Sequence, residues 1–352
     1  MPCESANADA PTRDAPRPVQ FVVIGTGRMA DAIMPDFQLV DGVEVVAVAG
    51  RSIENAQYFA NRWGIPAAFS LDDLAAANVD ADLCYVATTP AHHMTAAMLA
   101  LDLGMGALVE KAFARSAAEA APIVAAAARE HRFLMEAMWM RFNPHILAAV
   151  EAVADGEIGE PRLLTAAFGR PVPYEPPRWL WDPQQGGGTL FDQAVYPLAL
   201  ADVFFGEPVS VQAWGTTAGY EGDDRGLITE AAVLLGYSDG AQAVSTTSIR
   251  AQLVPAAVLS GSEGAIVFDE GFWAANGFTV RNSSGTTRRI DTLRDGNWTP
   301  MLRAVRDAYR QGLTEHPLSP MAATLRVTAV LDQVAAQIGG SSARPHVGTS
   351  PA

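Results

Sequence analysis

The sequence predicts an α/β chain: an N-terminal doubly wound parallel sheet, then a C-terminal α+β domain with a largely antiparallel sheet. Three observations predict it. An apolar strand, Phe21 to Ile24, runs straight into the glycine turn Gly25-Thr26-Gly27-Arg28-Met29-Ala30. Strand-like and helix-like segments then alternate for roughly 120 residues. Past Pro161, strand-like segments follow one another without helices between them.

Four apolar residues in a row mark a strand covered on both faces, as in a parallel sheet. In the turn that follows, Gly25 permits the tight bend and Gly27 lets a pyrophosphate approach the backbone. Ala30 lets helix and strand pack closely, while the helix N-terminus presents N–H groups to an anion. With a strand before it and a helix after it, the turn reads as a dinucleotide cradle formed by Gly25, Thr26, Gly27, Arg28 and Met29. A purely structural glycine turn is the plainer alternative.

The first helix runs to about Phe37, and Val43 to Ala49 forms the second strand before a helix from Glu54 to Trp63. Ile65 to Phe69 reads as a short strand, followed by a helix capped by Ser70 with Asp73 near its third position. Asp82 to Ala87, Ala107 to Glu110 and Phe133 to Glu136 are the remaining strands of this half. Helices from His93 to Leu103 and from Ser116 to Arg129 separate them, a Rossmann arrangement. In the second half a helix lies between Pro144 and the Asp155-Gly156 turn. Arg162–Gly169, Val209–Gly215, Thr229–Gly236, Ala241–Arg250, Ala256–Ser260 and Ala265–Asp269 read as strands. Tyr237-Ser238-Asp239-Gly240 is a hairpin signal. A stretch from Pro171 to Gly206 interrupts them, and Met301 to Ile338 is helical. Residues 1–18 read as a disordered leader and 339–352 as a flexible tail, leaving 19–138 and 139–338 as two domains.

Composition narrows the partners. An apolar fraction of 49% supports sizeable cores, and a formal charge of −15 disfavours nucleic acid and anionic membrane surfaces. Cys3 and Cys84, one in the leader and one in a buried-type strand, make neither a disulfide framework nor a metal site. The histidines have no metal-ligand spacing, so no metal is expected. Without a signal segment or a membrane-length apolar run, a cytoplasmic location is expected.

The end of the second strand speaks to cofactor type. NAD-binding units commonly place an acid there for the ribose hydroxyls, but here the strand ends Gly50-Arg51-Ser52, with Glu44 at its opposite end. A guanidinium and a hydroxyl suit a 2′-phosphate, so NADP is favoured over NAD, with Arg51 and Ser52 as contacts. A solvated surface arginine is the alternative. Thr88, His93, Glu110 and Lys111 follow the next two main strands, at the carboxyl ends where such sheets bind ligands.

These segments, with Glu136-Ala137-Met138-Trp139-Met140-Arg141-Phe142-Asn143-Pro144 and Gly186-Gly187-Gly188-Thr189-Leu190-Phe191-Asp192-Gln193-Ala194-Val195-Tyr196, occur in one order along nearly the whole chain. In this the sequence resembles the glucose–fructose oxidoreductase/inositol dehydrogenase/MocA (Gfo/Idh/MocA) family, most of all its dihydrodiol dehydrogenase and NADP-dependent D-xylose dehydrogenase branch. Ala112 stands where the family has proline, and Tyr196 where many relatives have histidine.

The resemblance implies hydride transfer between a nicotinamide and a hydroxyl or carbonyl carbon of a sugar, cyclic polyol or dihydrodiol. Tyr196 would be the acid/base, and Lys111 would lower its phenol pKa from the usual value near ~10. It further implies cofactor contacts from Thr88, His93, Glu110 and Lys111. Asp192, four residues before Tyr196 and so on the same helix face, would bind a substrate hydroxyl or orient Lys111. Trp139, Arg141, Trp179 and Trp181 are expected to line the substrate pocket, with ordinary packing between the domains as the plainer alternative for each tryptophan. A homodimer or higher oligomer is expected through the C-terminal sheet, with contacts between Thr229 and Arg250. Two alternatives stay open on the same fold: a glycosidase that uses nicotinamide transiently, and a catalytically silent dinucleotide sensor.

Overall fold

The computed structural model describes residues 17–175, 178–217 and 226–341. The expected leader, up to residue 16, and the expected tail, from residue 342, lie outside the described residues.

The first half is built from β1 (Val19–Ile24), α1 (Arg28–Leu39), β2 (Val43–Gly50), α2 (Ile53–Trp63), β3 (Ala67–Ser70) and α3 (Leu71–Ala76). It continues with β4 (Leu83–Val86), α4 (Pro90–Asp102), β5 (Gly106–Val109), α5 (Ala117–Arg129) and β6 (Leu134–Glu136). The strands form one parallel sheet in the order β3-β2-β1-β4-β5-β6. The order reverses between β1 and β4, so their carboxyl ends open a crevice of the kind that holds ligands in such sheets. Alternation along β1 sends Phe21 and Val23 into one core and Val22 and Ile24 into another, one on each face.

After a 3₁₀ turn at Trp139–Phe142 come α6 (Pro144–Ala154), β7 (Pro161–Gly169), α7 (Val195–Phe205), β8 (Ser210–Thr217), β9 (Ile228–Gly236) and β10 (Gln242–Ser248). β11 (Ala257–Gly261), β12 (Gly264–Phe268), β13 (Gly277–Asn282), β14 (Thr287–Asp291), α8 (Thr299–Arg310) and α9 (Met321–Ser341) complete the chain. The eight strands lie in the order β14-β13-β12-β11-β7-β10-β9-β8, antiparallel except where β7 meets β10.

Three details depart from the sequence reading. β13 and β14 were not expected: Thr287, Arg288, Arg289 and Asp291 are exposed, so this edge strand shows no apolar alternation, only the charge that protects an edge. The single helical stretch from Met301 to Ile338 is two helices, parted by a segment with Gly312, Pro317 and Pro320. The helix expected from Thr189 opens with a π turn, Leu190–Ala194, before α7.

One core cluster joins the halves, running from Phe21, Tyr85 and Leu108 of the parallel sheet to Leu198, Val233 and Leu302 beyond it. Helix α8 is capped from the first half: the Asp36 carboxylate on α1 accepts from the backbone N–H of Trp298 at 2.7 Å and of Thr299 at 2.9 Å.

Candidate active site

The glycine turn is shaped by two different needs. Gly25 has φ +116°, and a Cβ there would lie 2.5 Å from the Ala87 carbonyl oxygen, so this position serves the approach of β1 to β4. A Cβ on Gly27 would meet nothing within 4 Å. Gly27 is also the N-cap of α1 and supplies no side chain to cap it, leaving the first-turn N–H groups facing open space. That cradle fits a pyrophosphate. At the end of β2, Arg51 is exposed, and Ser52 caps α2 by accepting from Asn55 N. The Ser52 hydroxyl also donates to the Glu54 carboxylate at 2.6 Å. An acid thus stands beside the expected phosphate position, which the sequence reading missed by looking for it on the strand rather than on the following helix.

At the end of β5, Lys111 reaches across to the second half. Its Nζ donates to the Asp192 backbone oxygen at 2.9 Å, lies 3.4 Å from Asp192 Oδ1, and sits 4.9 Å from the centre of the Tyr196 ring. Trp139 Nε1 donates to the Tyr196 hydroxyl at 3.0 Å. Lys111, Asp192, Tyr196 and Trp139 are therefore brought together. Burial pulls the Lys111 ammonium down, but Tyr196, Asp192 and Glu110 together outweigh it and hold the ammonium above its ordinary range. Burial raises the Tyr196 phenol, and the lowering by Lys111 does not overcome it. This corrects the expectation of a lowered phenol: the cation acts as foreseen, but desolvation of the ring is the larger effect.

Other expected contacts are enclosed. His93 is 1% exposed, with Nδ1 against the Ala112 carbonyl at 3.0 Å and Nε2 against the Thr88 carbonyl at 3.2 Å. Burial pushes its imidazole down to about 4. A neutral imidazole has one N–H, so His93 donates to one of these two carbonyls and braces the strand ends; its burial encloses it, a correction to its expected cofactor contact. The Glu110 carboxylate accepts from Tyr85 Oη at 2.6 Å and from Lys111 N at 3.2 Å, and burial raises it to about 7. Thr88 is half-buried, and the Lys111–Ala112 peptide is cis.

Arg141 does not line a substrate pocket. It is 6% exposed and donates to Asp202 Oδ2 at 2.7 Å; a buried guanidinium needs such a partner. Trp179 is half-buried and packs against a small apolar cluster that includes Leu180, Trp181 and Leu227. The nearby glycine run is explained by packing: a Cβ on Gly187 would lie 2.5 Å from the Leu180 oxygen and 2.6 Å from the Trp179 oxygen.

Besides Trp139, the wall around Tyr196 comes from residues the sequence reading did not choose. Phe168 on β7 lies 5.8 Å from the Tyr196 ring and Trp273 lies 5.9 Å from it, the two stacked on each other at 3.8 Å. Trp298 packs on Trp139 at 5.6 Å. Asn143 and His145 hold the Phe272–Trp273 segment of this wall. Asn143 Nδ2 donates to the Trp273 carbonyl at 2.8 Å, and His145 Nε2 lies 2.7 Å from the Phe272 carbonyl.

Among the described residues no group of three or more His, Cys, Asp or Glu could hold a metal ion, and no helix is long and apolar enough to cross a membrane.

A dinucleotide cradle at one sheet's switch point, facing a Lys–Tyr pair and an aromatic wall, defines a two-domain nicotinamide-nucleotide oxidoreductase. The chain belongs to the Gfo/Idh/MocA oxidoreductase family. Residues 19–138 match the family's NAD-binding Rossmann domain and residues 146–267 its C-terminal domain. It is 31% identical over 304 residues to mouse trans-1,2-dihydrobenzene-1,2-diol dehydrogenase, covering 84% of this chain and 89% of that one. The Xenopus tropicalis enzyme of the same name is 30% identical, with 84% and 90% covered. Among solved structures, an aldose-aldose oxidoreductase from Caulobacter crescentus superposes with a TM-score of 0.84 at 22% identity, covering 92% of this chain and 98% of that one. A 3-ketoreductase from Actinomadura kijaniata, solved with NADP and TDP-benzene, gives 0.81 at 23% identity with the same coverage.

Proposed function

We propose that the protein transfers hydride between NADP and a hydroxyl or carbonyl carbon of a sugar, cyclic polyol or dihydrodiol, with Tyr196 moving the proton. The observation that carries this reading is the Lys111 ammonium 4.9 Å from the Tyr196 ring, with Trp139 donating to the phenol oxygen at 3.0 Å. NADP, when bound, supplies or accepts the hydride. The glycine turn holds its pyrophosphate, and Arg51 and Ser52 its 2′-phosphate. Lys111 stabilises negative charge on the Tyr196 oxygen, and Asp192 fixes Lys111. A phenol is protonated at neutral pH, and burial raises that of Tyr196 further, so Tyr196 is set to donate a proton to a carbonyl oxygen. Reduction is then the direction favoured near neutrality, and oxidation gains as the phenol ionises. The Phe168 and Trp273 rings suit the C–H face of a sugar or a flat diol ring.

The test is absorbance of the reduced cofactor with NADP or NADPH and a panel of aldoses, cyclic polyols, dihydrodiols and their ketones. Stoichiometric cofactor turnover is expected; hydrolysis without net cofactor change would move the assignment to a glycosidase.

We further propose self-association through the open face of the second sheet. Trp214 at 68% exposure, Leu234 at 38% and Val244 at 36% share that face, while α9 packs on the other. Light scattering should give a dimer or larger assembly, and Trp214→Lys should shift it toward the monomer.

A further inference from the structure

We propose that a crevice at the amino ends of the parallel strands, opposite the candidate active site, binds a small phosphate-bearing anion. Arg17, Asp82, His131, Arg132, Tyr309 and Arg310 help line a cavity of about 410 Å³ there.

The charges in it do not balance. Asp82 is already engaged: it pairs with Arg17 at 2.7 Å and accepts from the Tyr309 hydroxyl at 3.1 Å. Arg310 donates to the backbone carbonyls of Arg17 and Gly42, each at 3.3 Å, contacts that hold the guanidinium in place without neutralising it. Arg132 makes no ion pair among the described residues. Two guanidinium charges are thus left over in one concavity of a chain whose formal charge is −15. Concave walls focus the field of such charges, and the guanidinium fork matches phosphate oxygens. The acidic remainder of the chain repels a polyanion such as nucleic acid, which selects a small ligand.

The location separates this ligand from the dinucleotide, which binds at the carboxyl ends. It also lies on the joint between the halves. Tyr309 and Arg310 end α8, the helix that begins just after Trp298, and the Thr314 carbonyl accepts from Leu134 N of β6 at 2.8 Å. An anion bridging Arg132 and Arg310 would tie α8 to the parallel sheet.

The test is calorimetric titration of the full chain with inorganic pyrophosphate at fixed ionic strength, in saturating NADPH so that the glycine turn is blocked. Saturable binding at millimolar concentration or below is expected. Arg132→Ala and Arg310→Ala, both at exposed positions, should each weaken it by about tenfold or more, as befits loss of a charge-assisted phosphate contact. Arg132→Gln, which keeps a polar stem, should weaken it similarly. Arg129→Ala, a neighbouring surface arginine outside the crevice, should leave it within about twofold. Absence of saturable binding, or equal losses in the crevice and control variants, would overturn the proposal. Failure of NADPH to bind would instead count against the cofactor assignment, and the pyrophosphate titration could then be repeated with Gly27→Asp blocking the turn.

Discussion

The two ends of the Tyr196 helix each meet a cation, one half-buried and one buried, and the cations are used differently. Near the start, Lys111 is held by the Asp192 backbone oxygen, with the Asp192 carboxylate at 3.4 Å and the Tyr196 ring beside it. Near the end, Arg141 is locked to Asp202 at 2.7 Å, and Arg326 reaches the same carboxylate at 2.7 Å. A cation with a tight carboxylate partner anchors the fold. One held chiefly by a carbonyl keeps electrostatic reach toward a group that changes charge. Substitutions at the two ends should therefore fail in different ways, the first in turnover and the second in stability.

The largest effect expected is at the first end. Tyr196→Phe keeps the ring among Trp139, Phe168 and Trp273 and removes only the hydroxyl; turnover should fall by roughly two to four decades. Lys111→Met should fall comparably, and the double variant should be little worse than either, since both disable one unit. Single-turnover kinetics check this, with NADPH affinity measured alongside and expected to hold. Near-full activity in Tyr196→Phe would remove it from the proton path.

At the other end, Asp202→Asn should leave Arg141 buried without its counter-charge. Breaking such a buried pair costs about 3–5 kcal/mol, read by urea unfolding. Activity per folded molecule should stay close to that of the unmodified protein. If turnover dropped by decades while stability held, the contrast between the two ends would collapse.

A smaller effect belongs to the cofactor end. Arg51→Ala should weaken NADPH by roughly one to two decades and leave NADH nearly unchanged, the scale of one charge-assisted phosphate contact. Glu54→Gln should move the other way and strengthen NADPH, because its carboxylate, hydrogen-bonded to Ser52, repels the same phosphate. Equal losses for both cofactors in Arg51→Ala would break the NADP assignment.

What was readable in the sequence follows a physical line. The parallel sheet and glycine turn announce themselves locally, because β1 must be apolar on both faces and Gly25 has no room for a Cβ. Lys111 stood out by its place at a strand end, and Asp192 and Tyr196 by the family resemblance and their shared helix face; the three converge. Phe168 and Trp273 were invisible as a pair, since β7 and the loop between β12 and β13, far apart in sequence, meet only in three dimensions. Arg141 and His93 misled for a common reason: a polar side chain in a motif looks available until its surroundings are known, and Asp202 holds the one while burial against the strand-end carbonyls encloses the other.

The smallest effect tests the comparison most finely. Trp139 meets Tyr196 edge-on at 6.2 Å between ring centres, and its indole N–H donates to the Tyr196 oxygen. Burial raises the Tyr196 phenol, while Lys111 and then the Trp139 hydrogen bond lower it. Trp139→Phe keeps an aromatic ring against Trp298 and removes one lowering contact, so the phenol should titrate at still higher pH. Oxidation needs the ionised oxygen and reduction the protonated one. Below the phenol's titration range, oxidation should therefore fall by several-fold, the worth of one neutral hydrogen bond at about 1 kcal/mol, while reduction near neutral pH stays almost level. The ascending limb of the oxidation profile should shift alkaline by the same factor. A packing defect would slow both directions alike and leave the limb in place. Paired pH profiles of kcat/KM for the forward and reverse reactions separate the two outcomes, and a symmetric loss would reduce Trp139 to a wall of the site.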